Sequence, residues 1–158
     1  MVTRLSILFV ILLSIGCGSV WLPTESEMTE NFYANKDQFQ KLASMLEEDK
    51  QLVRLSRENT FYESNEARAI SQERIDSYRK ILEAIKIEDG IHRDDPNSVK
   101  LIASAEGFPV PRYSKAFLYT SQVPEPLVES IDKFVSTRKS PPVYKKLEDN
   151  WYLVYESW

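Results

Sequence analysis

Cys17 and His92 are each the only residue of their kind in the chain, and their neighbours limit the chemistry open to them. His92 lies in EDGIHRDD, where Glu88, Asp89, His92, Asp94 and Asp95 offer metal ligands or an acid/base pair. Neither reading fits well. Calcium loops alternate their ligands around a required glycine, which Asp94-Asp95-Pro96-Asn97 does not reproduce. A zinc site wants more imidazole or thiolate than this chain holds. A charged turn after a helix accounts for the cluster without any ligand. A serine triad would have to use His92, and no Gly-x-Ser-x-Gly elbow is present. With four glycines in all, there is no phosphate-cradling loop. Acids are plentiful, yet no pair stands out for glycan hydrolysis. No metal, cofactor or catalytic residue is expected, and the chain reads as a non-enzyme.

Cys17 speaks of place rather than catalysis. Met1 to Arg4 carries one positive charge, and Leu5 to Ile15 is apolar apart from Ser6 and Ser14. The small residues Gly16, Cys17, Gly18 and Ser19 follow. A basic start, a short apolar run and small residues are the three parts of an export signal. The run is about half of the ~20 residues a spanning helix needs. Extended to Leu22 it could just cross a bilayer, so a single-pass anchor without lipid is the rival reading. One cysteine closes no disulfide within the chain, so an exported form must rest on its core alone.

The stretch Leu13-Ser14-Ile15-Gly16-Cys17 resembles the lipobox of bacterial lipoproteins. That resemblance implies a thioether from Cys17 to diacylglycerol, cleavage between Gly16 and Cys17, and acylation of the new amino group. A small residue lets the peptidase approach, and a thiolate is the nucleophile that takes the lipid. Ser14 departs from the family, which most often has leucine three places before the cysteine. Gly18 is not the aspartate associated with inner-membrane retention, so the resemblance implies an outer-membrane anchor with the domain facing the periplasm. The NWYLVYESW ending also resembles uncharacterised small bacterial lipoproteins, a likeness that brings no activity with it.

The elements that follow are read as a lipidated tether over 17–23 and a single domain over 24–158. Thr24 and Glu27 form a capping box, and Phe32, Phe39, Leu42 and Leu46 share one face of a helix running from Glu25 to about Asp49. A second helix starts at Ser71, with Ile70 and Ile75 as a hydrophobic staple and Gly90 as its end. Residues 51–69 stay open between helix, strand and loop. SVKLIAS and SKAFLYT alternate as strands, and PEPLVESIDKFV has the spacing of a short helix opened by prolines. PVYKKLEDNWYLVYE reads as a hairpin turning at Asp149-Asn150. Helices first and strands later predict an α+β fold, with two long N-terminal helices packed on a small antiparallel sheet from the C-terminal half.

Net charge is −4, which argues against a nucleic-acid partner, and loss of Arg4 with the signal makes the mature chain more acidic still. Tyr152, Tyr155 and Trp158 are the candidates for a binding patch, since a hairpin with aromatics on both faces can leave some exposed. The expected role is a non-catalytic binding or structural module. It would be held to the membrane through Cys17 and would engage an envelope protein or a glycan. The alternative is an anchored inhibitor or immunity protein, whose acidic surface would meet a basic envelope hydrolase.

Overall fold

The computed structural model describes residues 22–63, 70–106, 113–135 and 139–158. Three helices, α1 (Glu25–Ala34), α2 (Lys36–Glu48) and α3 (Gln72–Ala84), cover one face of a seven-stranded antiparallel sheet. Its strands are β1 (Leu52–Leu55), β2 (Thr60–Tyr62), β3 (Gly90–Asp95), β4 (Ser98–Glu106), β5 (Tyr113–Thr120), β6 (Ser140–Glu148) and β7 (Trp151–Ser157). They lie in the order β2-β1-β3-β4-β5-β7-β6. This overturns the expectation of two long helices on a small C-terminal sheet. The helices are short, and β1 and β2 come from the first half of the chain.

The single helix expected over residues 25–49 is broken at Asn35, which leaves helical geometry at φ −118° and ψ 25°. Its side-chain amide donates back to the Asn31 carbonyl (3.0 Å) and side-chain oxygen (2.7 Å). Asparagine competes with the backbone for such bonds, which is why it favours breaks and caps. The apolar face nevertheless runs on across the break, and Phe32, Phe39, Leu42 and Leu46 are all buried. At α1's start the capping box forms, with Thr24 Oγ1 accepting from Glu27 N and Thr24 N donating to Glu27 Oε2.

Gly90 does not end α3. The chain leaves that helix at Ile85, with Lys86 at φ 56° and the Ile87 amide reaching back to the Leu82 carbonyl (2.8 Å). That is the geometry glycine usually serves at a helix C-terminus. The expected helix in PEPLVESIDKFV shrinks to a 3-10 turn, Asp132–Phe134. Upstream of it, Val128 and Pro126 exchange backbone bonds with Tyr144 along the free side of β6. That ladder shields an edge that would otherwise present unpaired donors and acceptors.

Strand alternation divides the sheet cleanly. Phe117, Trp151, Leu153 and Tyr155 face the helices, while Ala116, Leu118, Tyr152 and Val154 form a second buried cluster on the other face. Two cations sit on the helix-facing side. Arg93 Nη2 donates to the Leu46 carbonyl in α2's last turn (2.8 Å), and its Nε to the Leu52 carbonyl (3.2 Å). A positive charge there complements the negative end of the helix, whose own last turn has no basic residue. Lys115, 3% exposed, pairs with Asp132 and donates to the Pro23 carbonyl (2.7 Å). Asp132 in turn accepts from the Glu25 amide (3.0 Å), and Glu25 accepts from the Ile131 amide (2.7 Å) and pairs with Lys145.

This clamp makes the fold acid-sensitive. Desolvation pushes Glu25 up, but bonds from Lys145, Ser130 and the Ile131 amide outweigh it and hold the carboxyl below its ordinary value. Asp132 is likewise pushed up by desolvation and then pulled below its ordinary value by Lys115 and the Glu25 amide. Carboxyls with depressed folded values stabilise above their unfolded pKa, and that stabilisation is lost as pH falls through the folded pKa. Weakening should begin near 4.5, the ordinary value for Glu25, and continue below 3.8, that for Asp132. The urea midpoint should fall over that window. In Asp132→Asn the difference in midpoint between pH 7 and the acid end should shrink, whereas an unchanged difference would clear Asp132 of the role.

Candidate functional site

The sheet's outer face carries a hollow of about 850 Å³ that brings His92 and Trp158 together. His92 and Asp94 alternate outward along β3, opposite in direction to the buried Arg93. Lys100 points outward from β4 and donates to Asp94 Oδ2 (2.6 Å) and Glu156 Oε1 (2.7 Å). Glu156 stands on β7, with β5 between the two strands, so the lysine reaches across β5 to its partner. Burial draws the Lys100 pKa down, but its two carboxylate partners overcome this and hold it above the ordinary lysine value. His92 Nε2 lies 3.5 Å from Asp94 Oδ1, so imidazole, carboxylate, ammonium and carboxylate form one chain across four strands.

Arg54 and Arg57 add positive charge to the rim, against Glu58, Glu88 and Asp89. Desolvation raises the Asp89 pKa, partly offset by a bond from the Ala105 amide. Trp158, 55% exposed, lies at the border of the hollow. A large aromatic surface beside fixed charges suits a polar ligand with one apolar face, such as a sugar ring or an extended peptide. Of the acids gathered around His92 in sequence, Asp95 goes elsewhere. It caps the β3–β4 turn, accepting from the Asn97 amide (2.8 Å) and the Ser98 hydroxyl. Among the described residues, no three His, Cys, Asp or Glu side chains converge as a metal site.

Comparison with family models, with curated proteins and with solved structures found no match to this chain.

The three aromatics expected to share a patch are separated. Tyr155 is fully buried against the helices, because β7 is an inner strand and its odd-numbered residues face the core. Tyr152 is buried on the opposite face, where Lys146 Nζ sits 4.5 Å above its ring and donates to its hydroxyl (3.0 Å). Only Trp158 is open to a partner. Gly16 and Cys17 lie outside the described residues. Sequence reasoning missed Lys100 and Glu156, which sit far apart in the chain. Their signal was polarity in the outward register of two strands otherwise rich in apolar residues.

Proposed function

We propose that this chain is a lipid-anchored protein of the bacterial cell envelope whose domain binds a partner through the outer face of its sheet. The observation that carries the reading is Cys17, placed directly after Gly16 at the end of a short apolar run. Among the described residues no helix is long and apolar enough to cross a membrane. The domain begins its fold at Thr24, which leaves only a short tether after Cys17. One acyl chain gives marginal membrane binding, while two or three hold a protein firmly. The hollow supports a binding role because Lys100 is already paired with Asp94 and Glu156, while Trp158 offers apolar contact. The ligand is an envelope protein or a glycan.

The anchor is tested by mass spectrometry of the N-terminal peptide from chain purified out of host membranes. The expected result is a peptide beginning at Cys17 with diacylglycerol and acyl mass, absent from Cys17→Ser. An unmodified peptide that retains Met1 would overturn the reading in favour of a spanning segment. On the same material, Trp158→Ala should lower the yield of envelope components crosslinked to the domain, with the urea midpoint unchanged.

A further inference from the structure

We infer that the segment from Val123 to Val135 lies against the phospholipid surface, a contact that rests on lipid attachment at Cys17. The first support is the short reach of the tether. Lys115 bonds the Pro23 carbonyl, and Asp132 and Ile131 bond Glu25, so the start of α1 and the 3-10 turn are one fixed point. Six peptide steps separate Cys17 from Pro23. At ~3.3–3.6 Å per residue these reach about 20 Å when fully extended. A domain of this size measures roughly 35 Å across. The side of the domain farthest from Pro23 is therefore kept off the bilayer, and the surface around Pro23 is held near it.

The second support is what the segment tied to the start of α1 through Ile131 and Asp132 displays. Among the described residues, seven large apolar side chains are exposed, and four of them fall in this one segment. Val123 is 66% exposed, Leu127 48%, Phe134 40% and Val135 46%. Phe134 and Val135 stand two and three residues after Asp132, the residue that grips α1. Elsewhere the exposed apolar residues are scattered, as on any soluble surface. The segment's charges are Glu125, Glu129 and Lys133, with Asp132 already paired to Lys115. That balance gives no attraction to anionic headgroups. The contact is apolar side chains resting in the headgroup boundary of a largely zwitterionic surface.

The test uses the full chain in vesicles of phosphatidylethanolamine and phosphatidylglycerol with a fraction of nitroxide-labelled headgroups. Cysteine is introduced singly at Phe134 and Leu127, and at Phe61 on β2, the opposite edge of the sheet, each to carry an environment-sensitive dye. The wild-type chain denatured in detergent is treated with the same thiol reagent. A lipidated Cys17 takes up no dye. The expected result is blue-shifted emission and quenching at Phe134 and Leu127 stronger by on the order of twofold than at Phe61. Dye at Phe134 and Leu127 that reads water, or quenching equal at all three positions, overturns the membrane contact while the anchor stands. Labelling of wild-type Cys17 sinks the anchor, and this contact with it.

Discussion

Gly90→Ala should cost on the order of 4 kcal/mol, enough to bring the chain to the verge of unfolding. Gly90 opens β3 at φ +89°, a region that residues with a Cβ rarely occupy. Strain of that kind alone costs about 1–3 kcal/mol. Contact adds more. A Cβ at this position would lie 2.0 Å from the Leu55 carbonyl oxygen and 3.1 Å from the Ser56 Cα. Both are backbone atoms of the neighbouring β1 and its turn, which no rotamer change can clear. Since β3 is the strand that joins β1 and β2 to the rest of the sheet, relief would come by peeling β1 away. Urea unfolding should show a midpoint lowered by about 2 M at ordinary slopes. Gly90→Asn separates the two causes, because asparagine tolerates positive φ but still carries a Cβ. It should recover little, and a near-native midpoint for Asn would show that strain, not contact, sets the requirement.

Gly90 also shows where reading the chain residue by residue runs out. A glycine after a helical pattern reads as a helix stop, and the information that β1 passes within bonding distance is held by residues thirty-five places away. The same applies at Asn35, where the seven-residue spacing of Phe32 and Phe39 survives a break in the helix. Periodicity reports which side chains are buried, not whether the backbone between them is continuous. The β6–β7 hairpin was legible because its signals are local. Asp149 takes φ 41°, and the alternation of Trp151, Leu153 and Tyr155 against Tyr152 and Val154 matches the two faces. Alternation could not say that both faces of β7 would be covered, so it overstated the aromatic patch. Lys115 sits in register with Phe117 and Tyr119, and a lysine on a core face demands a partner. That partner, Asp132, lies in a proline-opened stretch whose helical spacing marks apolar positions and says nothing of what its acids face. In the site, Lys100 and Glu156 meet only because β5 and β7 pair, a long-range fact of topology.

Phe39→Ala should lower stability by about 3–5 kcal/mol, because this ring joins both halves of the broken helix to the sheet. Phe39 is fully buried in the first turn of α2. Its centroid lies 5.0 Å from Phe32 of α1, 4.8 Å from Phe117 of β5 and 5.3 Å from Trp151 of β7, the last nearly edge-on at 86°. Offset and edge-on pairs at these distances each add about 0.5–1.5 kcal/mol beyond buried area. Deleting the ring removes three aromatic contacts and leaves a cavity walled by residues of three other elements, α1, β5 and β7. Those walls cannot close by moving one of them. Phe39→Leu keeps most of the volume and should cost about half as much, losing the ring contacts but little packing. Trp151 provides the readout. Its near-ultraviolet circular dichroism should weaken in Phe39→Ala under conditions where the far-ultraviolet signal still reports folded helices and strands. A full near-ultraviolet signal together with an unchanged urea midpoint would mean that α1 and α2 hold to the sheet without this ring. The clamp at Glu25, Lys115 and Asp132 would then have to carry the docking of the helices by itself.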